Sequence, residues 1–279
     1  MIEYVKYNYL KILVFLLVLF FVVMLIVYLK DKKNRNKLGF YINYLAYKLG
    51  ITKKISRSYI SKMQFRECNE PLVELVKHPK IFHNNDTLER PVLLRKDVAK
   101  KLYKVADSLP DDVYLKIYSA FRSRISLYNA WKEMEDKLAK ENPNMNRAEL
   151  LDLVNTKVSS PKVNMGGHDT GAAIDLSLCD ANQQDLDFGT KIKEKHKKVH
   201  LTKEQEDNRK MLKNFMKNQN FVNLPGQWWH FSYGDKIWSA YKGKRNGAFY
   251  GAAEKEFENI GYVSVIKTEI KSVNLNNSL

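Results

Sequence analysis

The part of this chain with the least structural freedom lies near its start, where Ile12 to Leu29 form an unbroken apolar run, ILVFLLVLFFVVMLIVYL. At about 1.5 Å per residue in a helix, the run approaches the ~30 Å hydrocarbon core of a bilayer. It predicts a transmembrane helix over 12–29, preceded by a short flank, 1–11. A cleaved signal peptide is the competing reading. The run is long for such a core, however, and Lys30, Asp31, Lys32 and Lys33 follow it where a small-residue cleavage site would stand. An uncleaved membrane anchor is therefore expected. Residues 30–62 are basic and lack clear periodicity, and they read as a juxtamembrane linker that either lies on anionic headgroups or is simply solvated. Because Lys30, Lys32, Lys33, Arg35 and Lys37 follow the run while Lys6 and Lys11 precede it, the positive-inside rule alone places the remainder in the cytoplasm.

Between residues 63 and 254 roughly 190 residues remain, enough for one domain with a sizeable core. Residues 255–279 read as a polar tail with a β-prone stretch, Tyr262 to Ile266, and no assigned chemistry. Cys68 and Cys179 are far apart and show no CxxC or Cys/His spacing, so neither a disulfide framework nor a zinc finger is indicated. The net charge of +16 would suit an anionic partner. Lysine is nevertheless spread along the whole chain without an RNA-binding or helix-turn-helix signature, so no nucleic-acid partner is expected.

Within the domain, Val98, Leu102, Val105, Ala106 and Leu109 share one helical face over 95–109, and Pro110 stops the helix. Val113 to Tyr118 alternates as a strand does. Residues 130–158 read as mostly helical with a break at Asn142-Pro143, 172–178 and 228–233 as strands, and 208–219 as a helix. Helices and short strands alternate irregularly, which suits an α+β fold better than a doubly wound sheet.

The stretch GGHDTGAAIDLSL, from Gly166 to Leu178, sets His168 and Asp175 seven positions apart, with Gly171 able to make a tight turn into a strand. Ile174 and Leu176 would then face the core and leave Asp175 on the opposite face. His230, in QWWHFSYGD, offers a third ligand. Two histidines and a carboxylate, with a fourth position open to water, make a common catalytic zinc set. By spacing alone the pattern carries no mechanism of its own, since a lone His is more often structural and Asp175 could cap or pair. His196 and His200 lie in a Lys-rich segment and His78 and His83 flank a Pro-containing loop, and all four are weaker candidates.

HDTGAAIDLSL is similar to the SxHxxGxAxD signature of the LAS metallopeptidases, and WWHFSYGDKIWSAY resembles the segment that carries the final zinc ligand in VanX-type D-Ala-D-Ala dipeptidases of peptidase family M15. Glu70-Pro71-Leu72-Val73, Tyr118-Ser119-Ala120-Phe121-Arg122-Ser123, Leu186-Asp187-Phe188-Gly189-Thr190 and Asn208-Arg209-Lys210-Met211-Leu212 look like further pieces of that family, in its order. The resemblance implies a small antiparallel sheet flanked by helices around a zinc site, the LAS/hedgehog-like arrangement. It also implies zinc held by His168, Asp175 and His230, with Arg122 as the cation near the substrate carbonyl. The implied substrate is D-Ala-D-Ala or a D-amino-acid-terminated peptidoglycan peptide, and the implied class a zinc metallopeptidase of cell-wall metabolism. A murein role would place the domain outside the cytoplasm, against the charge bias, so the side of the membrane stays open.

Two positions depart from the family's pattern. Gly166 stands where the signature has Ser, which removes a hydroxyl but no ligand. Gln227 stands where the family has the Glu that takes the proton from the attacking water, and an amide cannot act as that base. Either another acid, Asp169 or Asp235, serves, or turnover is slow and rests on Arg122, or the chain is a relative that binds cell-wall peptide without cutting it.

Overall fold

The computed structural model describes the backbone of residues 2–84, 91–158, 167–192, 194 and 200–253, and the side chains of these except 2–15, 124, 125, 155 and 156. The chain divides into two compact units, Met1–Tyr59 and Ile60–Leu279. The stretch Tyr262 to Ile266, Gly166 and His196 lie outside the described residues.

The first unit is helical. Helix α1 (Ile2–Lys30) contains the apolar run, and its side chains are exposed from Leu16 through Tyr28. Among the described residues no helix is long and apolar enough to cross a membrane, so the transmembrane expectation over 12–29 is not supported here. The part of that expectation resting on the side chains of Ile12 to Phe15 lies outside the described residues. Residues 32–48, read from sequence as linker, instead form helix α2 (Lys32–Lys48). The Asp31 carboxylate starts it by accepting the Lys33 amide at 2.7 Å, one of the amides that a helix N-terminus leaves without a partner. The carbonyls at the end of α1 are closed by α2 side chains. Arg35 donates to the carbonyls of Leu29 at 2.6 Å and Lys30 at 2.7 Å, and Asn34 donates to that of Tyr28 at 3.2 Å. A short helix, α3 (Arg57–Ser61), spans the boundary between the units in sequence.

The second unit is α+β. Its main sheet has five strands in the order β2 (Ile81–His83), β4 (Tyr114–Ser119), β5 (Ala173–Cys179), β7 (His230–Ser232) and β6 (Val222–Asn223). A separate antiparallel pair joins β1 (Leu72–Glu74) to β3 (Leu93–Arg95). The antiparallel sheet expected from sequence needs one correction, because β2 runs parallel to β4 while the other pairings of the large sheet are antiparallel. A parallel neighbour needs a crossover, and the chain from β2 to β4 supplies one through β3 and helix α4 (Lys96–Asp107).

Helix α4 buries Val98, Ala99, Leu102, Val105 and Ala106, the face that the spacing predicts. Together with Leu212 and Met216 of α7 (Lys203–Asn218), these residues join one core with Leu115, Ile117, Ile174, Leu176 and Leu178 of the central strands. Each buried Val, Leu, Ile or Met among them contributes about 1.5–3 kcal/mol, so these helices commit one face of the sheet to the core. Helix α7 begins five residues before its sequence-predicted start, at a capping box in which the Thr202 and Gln205 side chains satisfy each other's backbone amides. The helical stretch 130–158 resolves into α5 (Arg124–Glu141) and α6 (Arg147–Lys157), broken at Asn142-Pro143 as expected, with Leu138, Leu150 and Val154 buried between them. The last helix, α8 (Lys236–Tyr241), follows β7 directly.

Candidate metal centre

The central strands β5 and β7 set the site by register. Ile174, Leu176 and Leu178 point into the helix-covered core, so the two-residue period turns Asp175 and Ser177 to the other face. Asp175 pairs directly with His230 across β5 and β7, and lies opposite Ser119 of β4 where the register of that strand shifts. His168 reaches the same point from a 3-10 turn, His168–Thr170, ahead of β5. Gly171 ends the turn with φ of 69°, and a Cβ there would meet the Leu72 side chain at 2.3 Å. Only glycine satisfies both conditions. The turn is fastened from below by Arg95, wholly buried, whose Nε donates to the Thr170 carbonyl at 2.8 Å and whose guanidinium also reaches the Glu70 and Gly251 carbonyls and the Glu67 carboxylate.

His168, Asp175 and His230 each offer a ligand atom, and these atoms lie within 4.8 Å of one another. His168 Nε2 is 3.3 Å and His230 Nδ1 2.9 Å from Asp175 Oδ1, and the two rings meet edge to face at 5.1 Å. The other nitrogen of each ring is already engaged. His168 Nδ1 donates to the Ala120 carbonyl at 2.7 Å, which fixes that proton and leaves Nε2 to face Asp175. His230 Nε2 lies 3.2 Å from the Ser232 hydroxyl. A hydroxyl can donate or accept, so Ser232 is able to support His230 whether or not Nδ1 carries a proton. Ligand histidines held through their second nitrogen are the usual form of a metal site, and this donor set suits a four-coordinate zinc ion with one open position.

Electrostatics favour the same use. Burial lowers the His168 pKa, reinforced by Arg122 and His230 and opposed by Asp175, which keeps the ring neutral. Burial works to raise the Asp175 pKa, but His168 and then His230 outweigh it and hold the carboxyl well below the usual range. A neutral imidazole at His168 beside an ionised carboxylate at Asp175 suits the binding of a divalent cation.

Arg122 follows β4, and its amide donates to the His168 carbonyl at 3.1 Å. Its Nε is buried and has no hydrogen-bond partner among the described residues. An unmatched guanidinium donor beside a histidine is costly in the absence of a ligand. The side chain of Arg124, an alternative cation by sequence, lies outside the described residues.

Gln227 occupies a turn and not a strand. Its amide donates to the Leu224 carbonyl at 3.0 Å and its own carbonyl accepts the His230 amide at 3.2 Å, so β7 begins only at His230. The rule that residues three apart in a strand face opposite ways therefore does not apply to Gln227 and His230. Asn223 clamps this turn, its Nδ2 donating to the carbonyls of Gln227, Trp228 and His230 at 2.9, 3.1 and 3.0 Å. The Gln227 side-chain amide makes no hydrogen bond among the described residues.

Of the weaker histidines, His78 stacks on Tyr103 and pairs with Asp107 at 3.1 Å, His83 lies in β2, and His200 is exposed. None of these belongs to the cluster. Sequence reasoning missed Ser232, Asn223 and Arg95. Ser232 carried a signal, since a residue two after a strand histidine shares its face. Arg95 carried none, because its partners are brought together only by the fold.

Asp235, weighed as a substitute base, is wholly buried, and its Oδ1 caps α8 by accepting the Trp238 amide at 2.7 Å. Burial lifts its pKa to about 6, although the Trp238 amide, the Ser232 hydroxyl and His230 favour the charged form. A carboxyl raised in the folded state binds a proton that the unfolded chain has already released. Stability therefore falls as pH rises from about 4 to about 6. His168 acts oppositely below pH 6.5, because its lowered pKa makes the unfolded chain the tighter proton binder. The comparison must therefore be between variant and wild type. Asp235→Asn, which keeps the cap, is expected to be more stable than wild type at pH 7 by up to about 3 kcal/mol and to lose that advantage by pH 4. Denaturant melts of the metal-free protein at the two pH values check this, and a variant less stable at pH 7 refutes it.

Comparison with known proteins agrees with the geometry. The family described as D-ala-D-ala dipeptidase matches residues 84–245, more than half of the chain. The D-alanyl-D-alanine dipeptidase of Synechocystis sp. is 30% identical over 108 residues, covering 31% of this chain and 44% of that protein. That of Escherichia coli is 28% identical over 145 residues, covering 50% of this chain and 65% of that protein. The chain thus spans less than two thirds of the length of either relative. Among solved structures, a vancomycin-resistance D,D-pentapeptidase VanY in complex with Zn(II) aligns at a TM-score of 0.38 and 15% identity, over 61% of this chain and 87% of that one. A VanXYg D,D-dipeptidase with a D-Ala-D-Ala phosphinate analogue aligns at 0.31 and 17%, over 72% of each. On the extent of the family match, with the site residues lying inside it, the chain belongs to the D-ala-D-ala dipeptidase family, peptidase family M15.

Proposed function

We propose that the domain is a zinc-dependent peptidase that hydrolyses D-Ala-D-Ala or the D-amino-acid-terminated stem peptides of peptidoglycan. The observation that carries this reading is the set of His168, partly buried, with buried Asp175 and His230, lying beside an arginine whose Nε has no hydrogen-bond partner among the described residues. Zinc, when bound there, supplies a Lewis acid that activates water and polarises the scissile carbonyl. Arg122 would meet that carbonyl oxygen as negative charge develops on it, through the Nε that has no partner among the described residues. His168 and His230, each anchored through its second nitrogen, keep the donors in place without reorganisation. The substrate class follows the relatives, which are D-alanyl-D-alanine dipeptidases by name.

Gln227 favours a second reading, in which the same pocket binds cell-wall peptide and cuts it slowly or not at all. A missing general base typically costs about 10²- to 10⁴-fold in rate while metal and peptide binding survive. Asp235 is an unpromising replacement, since it caps α8 and associates with the Ser232 side of His230 and not with the Asp175 side. In this same proposal α1 anchors the chain in a membrane, supported by the exposed apolar side chains from Leu16 to Tyr28. A peptidoglycan substrate requires the outer side, against the lysine bias, and protease digestion of intact cells decides between the two.

The full chain in detergent is expected to carry one zinc and to release D-alanine from D-Ala-D-Ala, with a chelator stopping release and added zinc restoring it. Zinc without release selects the binding reading. Absence of zinc overturns both readings.

A further inference from the structure

Helix α2 carries an apolar stripe that nothing in the structure covers among the described residues. Tyr41, Ile42, Leu45 and Leu49 recur at helical spacing and so share one side of it, continued by Ile51 just beyond its end. They are exposed by 43, 57, 57, 65 and 73% respectively. The opposite side of the helix is the one already used, with Phe40 buried and stacked on Tyr44, and Tyr47 partly buried. The helix therefore has two apolar faces, one packed and one bare.

Charge identifies what covers the bare face. From Lys32 to Arg57 the sequence carries eight basic residues, Lys32, Lys33, Arg35, Lys37, Lys48, Lys53, Lys54 and Arg57, and not one Asp or Glu. On the helical wheel Lys37 and Lys48 fall on one flank of the apolar stripe, and Arg35, whose Nη1 is held by the carbonyls of Leu29 and Lys30, on the other. Long cationic side chains at the borders of an apolar stripe reach headgroup phosphates while their stems lie along the acyl boundary. The stripe also follows closely on α1, whose exposed apolar side chains end at Tyr28.

We propose that α2 is an interfacial helix, lying in the headgroup layer of an anionic bilayer with Tyr41, Ile42, Leu45 and Leu49 inserted. The proposal deepens the membrane reading above and rests on it only in requiring a bilayer nearby. A helix lying in the interface need not be long enough to cross it. Each basic residue near an anionic surface adds to the attraction, so association through α2 depends on lipid charge and salt in a way that insertion of an apolar helix does not.

The test places a nitroxide at position 45 by labelling Leu45→Cys, and separately at position 21 by labelling Phe21→Cys. Both are made in full-length protein carrying Cys68→Ser, since Cys68 is exposed and Cys179 buried. The protein is reconstituted into vesicles of phosphatidylcholine with or without phosphatidylglycerol, and collision with oxygen (lipid-soluble) is compared with collision with a nickel chelate (water-soluble). The expected result at position 45 is a several-fold higher oxygen-to-nickel ratio with phosphatidylglycerol than without it, reversed by high salt. A label at 45 in water while 21 lies in lipid overturns the α2 proposal and leaves the α1 anchor standing. Both labels in water overturn both. A label at 45 shielded from both reagents shows that a second copy or a protein partner covers the stripe, and also overturns the proposal.

Discussion

His230→Ala is expected to abolish stoichiometric zinc binding and, with it, any measurable release of D-alanine. The residue is one of the three proposed donors, pairs with Asp175 across β5 and β7, and is braced by Ser232. Loss of an outer partner of a metal ligand typically costs about 10- to 100-fold in affinity, and loss of the ligand itself must exceed that. The measurement is zinc affinity by competition with a chromophoric chelator, beside the melting curve of the metal-free variant. The melt distinguishes a missing ligand from a damaged sheet, because His230 is buried and its removal also leaves a cavity. A folded variant that still binds zinc as tightly as wild type would falsify the ligand assignment.

Gln227→Glu is expected to act in the other direction, raising the rate of D-Ala-D-Ala hydrolysis by about 10²- to 10⁴-fold with zinc affinity little changed. The two side chains have nearly the same shape, and the Gln227 amide has no hydrogen bond to lose among the described residues. The turn is held by backbone and by Asn223, so a carboxylate at 227 occupies the place of the amide. Parallel steady-state kinetics on the two proteins check this. An unchanged rate in a zinc-loaded wild type that already turns over shows that another group takes the proton, and directs attention to Asp169.

Both experiments address a site whose members were visible in the chain while their arrangement was not. The motif around His168 and Asp175 and the segment around His230 indicated which residues to consider. Their meeting depends on Asp175 facing His230 in the register of β5 with β7, a pairing between segments more than fifty residues apart. Shifting that register by one residue would turn the strand's side chains to the other face. The support of the site was equally hidden, because Arg95 reaches the 3-10 turn from 75 residues away and Ala120 reaches His168 from 48.

The sequence by itself determined the elements long enough to show a period. Helix α4 buries its expected face, α5 and α6 break at Asn142-Pro143, and β4 and β5 lie within a residue or two of their expected positions. Only the tertiary structure decided β1, β2, β3 and β6, the parallel pairing of β2 with β4 and the turn at Gln227, whereas the helix at 32–48 carries a helical apolar spacing that its reading as a linker missed. The physical reason is one of range. Burial on one face repeats every two or 3.6 residues and is written locally. A strand of two or three residues exists because a neighbour distant in sequence satisfies its amides and carbonyls, so its own residues carry no pattern to read.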